Sequence, residues 1–235
     1  MNTTMTRLVA AISVAAAALV PALAAAPAGA AGAACKGEII KPRVHTEATR
    51  REATLASLVA NLQARKDPYG MNGGQITALQ QASSGISTLD QQIQSTCYPT
   101  LAALRTDATK LFVDYRVYWL RVPQTHAIEA ADHLAEARSR LGQVAAKLAG
   151  YVGSNTTAQA DLAAMNQALA AADAKLGTPP TAGPSIAAVP GLLPAADMTA
   201  QTQALQAAHA DLLAARASLS AARAGGAKVV ADLRG

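Results

Sequence analysis

Aromatic side chains are scarce in this sequence, which has five tyrosines, one tryptophan and one phenylalanine among 235 residues. Charged residues are also few, at 15%, whereas hydrophobic residues make up 51%. A core with so few rings must be built mainly from Ala, Leu, Val and Ile, and Ala and Leu have high helix propensity. No segment shows the alternation typical of strands. The composition therefore predicts an all-α protein.

Basic charge is too sparse and too evenly spread to indicate a nucleic-acid-binding protein. The formal net charge is +5, and no basic run exceeds two residues. Nucleic-acid-binding domains concentrate Lys and Arg on one face, so we expect no nucleic-acid partner. After the first thirty residues, no segment approaches the roughly 18 consecutive apolar residues of a transmembrane helix.

Residues 1–30 have the pattern of a secretory signal peptide. Arg7 supplies the positive charge, residues 8–26 are almost entirely apolar, and residues 28–30 are the small residues that a signal peptidase requires. We therefore expect an exported mature protein without a transmembrane segment. Its predicted location is extracellular, in the medium or in association with the cell envelope.

Cysteine occurs only at Cys35 and Cys97. An even number of cysteines in an exported protein indicates a disulfide bond. The alternative is a lipid-anchored envelope protein in which Cys35 becomes the lipidated first residue. Gly32 stands where a lipoprotein signal usually has a larger apolar residue, so the disulfide is the favoured prediction.

Apolar residues recur with helical spacing in five segments. The stripes are Leu55, Leu58 and Leu62; Leu79, Ile86 and Ile93; Leu134, Leu141 and Leu148; Leu162, Leu169 and Leu176; and Leu205, Leu212 and Leu219. Steps of three, four and seven residues place each set on one face of a helix. The pattern predicts an antiparallel bundle of four to five long amphipathic helices.

Two prolines suggest where these helices bend or end. The helical phase continues from Ile93 to Leu104, so Pro99 is expected to kink one long helix rather than end it. After Pro123 the apolar face moves to the opposite side, which predicts a break near that residue. Pro123 also suits the first turn of the following helix.

A second compositional boundary lies at residues 177–196, which contain five prolines and three glycines. Such a segment is typical of an extended linker. The predicted organisation is a helical bundle with an N-terminal arm over residues 31–176, this linker, and a C-terminal helix over residues 197–235 that packs on the bundle.

No catalytic residue, cofactor site or metal site can be assigned from the sequence. His126, Glu129 and His133 lie on one predicted helix, but their spacing differs from the zinc-protease pattern, in which histidines four apart flank the glutamate. A metal-binding protein or enzyme that uses these three residues is the alternative to a non-catalytic protein.

Four of the seven aromatic residues fall within residues 112–119. They are Phe112, Tyr115, Tyr118 and Trp119. In one interpretation they fill the core, with Tyr115 buried. In the other, Tyr118, Trp119 and Arg121 form an exposed interaction patch, because aromatic residues and Arg are enriched in binding hot spots. We expect Tyr115 to be buried and Trp119 to be partly exposed.

The segments Asp114-Tyr-Arg-Val-Tyr118, Val122-Pro-Gln-Thr-His126 and Ala130-Ala-Asp132 resemble a family of secreted or cell-surface helical proteins from actinobacteria. The likeness covers about residues 44–150. That family has no established activity, so the resemblance implies a fold and a compartment but no catalytic residues. The expected function is a non-catalytic binding or structural role at the cell surface or in the medium. The expected partner is a cell-envelope component or another helical protein.

Overall fold

A computed structural model describes residues 35–234, so the predicted signal peptide lies outside the described residues. The chain forms helices α1 (Lys41–Gln63), α2 (Asn72–Ser95), α3 (Leu101–Val113), α4 (Val122–Ala149), α5 (Thr156–Leu176), α6 (Pro184–Ala187) and α7 (Met198–Asp232). Strands β1 (Gly177–Thr178) and β2 (Thr181–Ala182) pair as a minimal antiparallel hairpin. The predicted all-α helical bundle is confirmed.

The helices form two packed groups that share α4. Helices α1 and α2 make an antiparallel pair whose first turn and last turn meet, as shown by the 2.6 Å contact between His45 Nδ1 and Asp90 Oδ2. Helices α4, α5 and α7 make a three-helix bundle in which α5 runs antiparallel to the other two. The N-terminal half of α4 also contacts α1 and the start of α2. One helix therefore joins both groups.

The predicted apolar stripes describe α2 and α5 correctly. Leu79, Ile86 and Ile93 are fully buried, and Leu162, Leu169 and Leu176 are also buried. Helix α4 differs, because its interior positions include Ile128, Ala131 and Ala135. Leu134 and Leu141, which belong to the predicted stripe, are only half-buried. Alanine at the contact lets the neighbouring helices approach closely and leaves these leucines at the side.

The disulfide bond between Cys35 and Cys97 is present, with Cα atoms 5.0 Å apart, so that prediction is confirmed. A lipid anchor on Cys35 would need the same sulfur atom, and the structure therefore argues against the lipid-anchored alternative. Among residues 35–234, no helix has the length and apolarity needed to cross a membrane.

The predicted kink at Pro99 is wrong. Helix α2 ends at Ser95, Thr96 has an extended backbone with ψ 129°, and α3 starts only at Leu101. A residue that precedes proline avoids the helical conformation, which explains why Tyr98 cannot continue α2. The Tyr98 carbonyl accepts a 2.8 Å hydrogen bond from the Lys36 backbone N–H, next to the disulfide. The N-terminal arm thus holds this interruption open.

The predicted break near Pro123 lies further upstream. Pro123 is in the first turn of α4, as expected, but α4 follows without interruption from a π-helical turn at Val117–Arg121. The chain changes direction before this turn, where Arg116 has φ 43° and ψ 43°. A non-glycine residue in this left-handed region is strained by about 1–2 kcal/mol. Its side chain compensates by hydrogen bonding the Ala196 carbonyl and Gln201 Oε1, each at 2.9 Å.

Residues 177–196 are folded and not extended as predicted. The hairpin is followed by the single turn of α6 and by a 3-10 turn at Val189–Gly191. Ile186 and Val189 are fully buried, and the Val189 carbonyl accepts a 2.8 Å hydrogen bond from Gln124 Nε2 of α4. These contacts fix the segment to the bundle and place the start of α7 beside the start of α4.

Candidate functional site

A long open groove runs between α4 and α7. Its larger section has a volume of about 940 Å³ and lies between residues 118–134 and residues 201–216. A second section of about 830 Å³ continues between residues 133–141 and residues 216–223. His133, Leu134 and Arg216 line both sections, so they form one groove. Low residue numbers face low residue numbers along its length, which shows that α4 and α7 run parallel.

The floor and walls of the groove are apolar. On α4, the lining residues recur at helical steps; they are Trp119, Pro123, Ala127, Ala130, Leu134, Ala137 and Leu141. On α7 the apolar lining is Leu205, Ala210, Leu212, Leu213 and Leu219. Residues 119–141 span about 33 Å of helix at the standard rise. Trp119 is 64% exposed and Leu213 is 51% exposed, so large apolar side chains face solvent along the groove.

The rim of the groove is basic. Arg140, Arg216 and Arg223 line its second section together with one acid, Glu136. Glu136 already accepts hydrogen bonds from Arg140 at 2.7 Å and Lys66 at 3.3 Å, and the bond from Arg140 is the main reason that its pKa lies below the ordinary value. Within residues 35–234, neither Arg216 nor Arg223 forms an ion pair with a carboxylate. The groove therefore has positive charge available for a partner.

The predicted interaction patch is only partly formed. Trp119 is exposed and lies at one end of the groove. Tyr118 also lines the groove, although its hydroxyl accepts a 3.1 Å hydrogen bond from Arg50 Nε. Arg121 was wrongly assigned to the surface, because it is only 7% exposed and its guanidinium faces Gln124 Oε1 at 3.3 Å. The extra residue in a π-helical turn shifts the helical phase, so the spacing from Trp119 did not predict the position of Arg121.

Tyr115 is half-buried and does not belong to the deep core. Its ring covers Gly85 of α2 so closely that a Cβ at Gly85 would lie 2.6 Å from Tyr115 Cε1. The fully buried residues of this segment are Val117 and Leu120. The interpretation of the aromatic stretch as a core plug is therefore wrong in detail, because aliphatic residues do most of the filling.

The structure does not bring His126, Glu129 and His133 together. His126 Nδ1 lies 3.1 Å from Glu129 Oε2, whereas His133 contacts the Arg65 guanidinium on the other side. Nowhere in residues 35–234 are three His, Cys, Asp or Glu side chains arranged to hold a metal ion. The alternative of a metal or catalytic site on these three residues gains no support from the geometry.

A buried polar junction where α2 and α4 meet was missed from the sequence. Asn72 and Gln75 of α2 face Thr125, Glu129 and Asp132 of α4, and all five are at most 7% exposed. Gln75 Nε2 donates a 3.0 Å hydrogen bond to Thr125 Oγ1. Burial is the main cause that raises the pKa of Asp132 to about 7. The spacing of Thr125, Glu129 and Asp132 at steps of four and three residues was the signal in the sequence that could have revealed it.

The groove was also missed, although Leu134 and Leu141 lie at its centre. The chain matches no protein-family model, no curated protein and no solved structure.

Proposed function

We propose that this chain is an exported, non-catalytic binding protein whose groove between α4 and α7 holds an acidic amphipathic helix of a partner protein. The observation that carries the proposal is the continuous apolar groove, about 33 Å long, with Trp119 and Leu213 open to solvent. The signal-peptide pattern and the Cys35–Cys97 disulfide support export into an oxidising compartment, at the cell surface or in the medium.

The shape of the groove favours a helix as the occupant. Its two walls are parallel helices whose lining residues follow the same steps of three and four residues, which is how helical grooves receive a third helix. Alanines at positions 127, 130 and 137 leave room for close approach along α4. A helix lying between α4 and α7, opposite α5, would complete a four-helix bundle.

The charge of the rim favours an acidic occupant. Arg216 and Arg223 have no carboxylate partner within the described residues, and Arg140 lies beside them. Acidic residues that flank the apolar face of a bound helix would pair with these arginines, as flanking charges do in coiled coils. A basic helix would meet repulsion at the same positions.

The test uses Trp119, the one tryptophan of the chain, as a reporter of groove occupancy. A library of displayed amphipathic helical peptides of about 22 residues, matched to the groove length, is selected on the purified protein. We expect the enriched peptides to carry Asp or Glu beside a Leu-rich face and to shift the Trp119 emission to the blue as they saturate. Failure to enrich any peptide, or enrichment of basic peptides, would overturn the proposal.

Two substitutions provide a matched control. Leu213 lies in the groove at 51% exposure, and Val144 lies on α4 outside the groove at 43% exposure. Leu213→Asp should weaken peptide binding by at least about tenfold, since it buries an unpaired charge against the acidic peptide. Val144→Asp should leave binding unchanged. Equal effects of the two would show that the peptides bind elsewhere.

Other occupants of the groove give different results in the same assay. If a second copy of the chain fills it, the Trp119 emission shifts with protein concentration alone and sedimentation shows a dimer that Leu213→Asp disrupts. If lipid fills it, palmitate or phospholipid micelles shift the emission and compete with the peptides. Either result would reject the partner helix.

A further inference from the structure

Asp132 of α4 is a buried carboxylate that lacks a hydrogen-bond donor. It is 4% exposed, and neither of its oxygens has a hydrogen-bond partner among the described residues. Asn72 lies beside it, also 4% exposed, and its amide oxygen and nitrogen form no hydrogen bond of ordinary geometry. Unsatisfied polar groups at this depth are unfavourable, and those in native proteins usually mark a missing partner.

A pocket leads to this carboxylate from the surface. It has a volume of about 420 Å³ and lies between the C-terminal end of α1 and the middle of α4. Its lining residues are Asn61, Ala64, Arg65, Lys66, Asp132, His133 and Glu136. The volume is that of a site for a small molecule and exceeds the space of a single water molecule.

The cations that line the pocket already have partners. Lys66 Nζ lies 3.3 Å from Glu136 Oε1, and Arg65 Nε lies 3.6 Å from Glu129 Oε1. Asp67 accepts hydrogen bonds from the backbone N–H groups of Met71 and Asn72 at 2.8 and 3.0 Å. Asp132 is therefore the one carboxylate at this junction that has neither a cation nor a donor beside it in the described residues.

The groups around Asp132 favour an additional positive charge. Besides burial, Asp67 of the loop and Glu129 of α4 act to raise its pKa, and of the nearby charges Arg65 acts to lower it. A metal ion is not the best fit, because residues 35–234 contain no cluster of three His, Cys, Asp or Glu that could hold one. An ammonium group carries three N–H donors, which matches the two Asp132 oxygens and the Asn72 amide oxygen.

We propose that the pocket between α1 and α4 binds a small molecule through a primary ammonium group, which sits on the Asp132 carboxylate and the Asn72 side chain. This site is separate from the groove between α4 and α7, although His133 borders both. Its test reads Asn72 and Asp132 and not Trp119, so the two proposals can fail independently.

The test is an NMR titration of the ¹⁵N-labelled protein at fixed ionic strength. Methylammonium chloride should shift the Asn72 side-chain amide and the Asp132 backbone amide in a saturable manner. Tetramethylammonium chloride has the same charge but no N–H donor, and it should leave these signals unchanged. Equal shifts with both salts, or no saturable shift with methylammonium, would show that the pocket holds only water. A saturable shift with calcium chloride alone would replace the ammonium site with a metal site.

Variants separate binding at Asp132 from general charge effects. Asp132→Asn keeps the shape and should weaken methylammonium binding by at least about tenfold, because a charge-assisted hydrogen bond becomes a neutral one. Asp114→Asn, at an exposed position outside the pocket, should bind as the parent does. Ala64→Phe fills the pocket from an exposed position and should block binding without altering the buried junction. Binding that survives both Asp132→Asn and Ala64→Phe would overturn the assignment.

Discussion

Arg51 of α1 stacks its guanidinium on the ring of Phe112 at the end of α3, with Cζ 4.3 Å from the ring centre. The same guanidinium lies 5.0 Å from the centre of the Tyr118 ring and donates a 3.2 Å hydrogen bond to the Leu111 carbonyl. Glu47 accepts a 2.8 Å hydrogen bond from Arg51 Nε and balances the charge. One buried arginine thus ties α1 to the segment where α3 ends and the chain turns toward α4.

Replacement of Arg51 should therefore destabilise the protein. Arg51 is 4% exposed, so Arg51→Ala removes a desolvated cation–π contact and a charged hydrogen bond to a buried carbonyl. We expect the free energy of unfolding to fall by about 2–4 kcal/mol. The neighbouring Arg50→Ala is the control, because Arg50 is exposed and its contact with Tyr118 should contribute less than about 1 kcal/mol. Urea denaturation followed by circular dichroism measures both values, and equal losses would contradict the role given to Arg51.

The disulfide should stabilise the N-terminal arm and the interruption after α2. Cys35 and Cys97 close a loop with a sequence separation of 62, for which the chain-entropy model gives up to about 4 kcal/mol. We expect reduction to lower the melting temperature in calorimetry by well over the measurement error. The double variant Cys35→Ala/Cys97→Ala should show the lower melting temperature and no further response to reductant. A melting temperature that reduction does not change would contradict the expected contribution.

Sequence spacing predicted α2 and α5 well because each buries one apolar stripe. It failed on α4 because that helix contacts α1, α2, α5 and α7, and thus has several faces that are not exposed to water. The interior contacts use Ala131 and Ala135, whose small size gives a weak signal, while the more conspicuous Leu134 and Leu141 border the groove. A search for the largest residues therefore selected the wrong face.

The local backbone near Arg116 explains the other failures. A left-handed residue is usually Gly or Asn, and nothing in the identity of Arg116 predicts it. The π-helical turn that follows brings Arg121 inside and leaves Trp119 outside, against the expectation for a regular helix. Contacts from distant segments, such as the Ala196 carbonyl, hold this conformation. The candidate groove depends on that long-range pairing and could not be derived from local spacing.

Asp132 should make the stability depend on pH. Its pKa is raised from 3.8 in the unfolded chain to about 7 in the folded protein. The folded protein therefore binds more protons between these values, so the favourable contribution is present in acid and is lost as the pH rises toward 7. We expect Asp132→Asn to gain about 2 kcal/mol relative to the parent when both are compared at about pH 8 rather than about pH 5. Urea denaturation at the two pH values measures it, with Asp114→Asn as the control, and parallel pH profiles for all three proteins would contradict the prediction.

Trp119 and Leu120 are adjacent in sequence but should differ sharply in their effect on stability. Leu120 is fully buried, and Leu120→Ala should lower the free energy of unfolding by about 2–5 kcal/mol, through the lost burial and the cavity left behind. Trp119 is 64% exposed at the end of the groove, so Trp119→Ala should change it by less than about 0.5 kcal/mol.

The half-buried Tyr115 should fall between these limits, since its ring covers Gly85 on one side and faces water on the other. We expect Tyr115→Ala to destabilise by about 1–3 kcal/mol, less than a fully buried aromatic residue would. Chemical denaturation followed by circular dichroism compares the three variants without relying on tryptophan fluorescence. If Trp119→Ala is as destabilising as Leu120→Ala, then Trp119 packs inside the protein. In that case the large exposed side chain at the end of the groove, on which partner binding is expected to depend, would not be available to a partner helix.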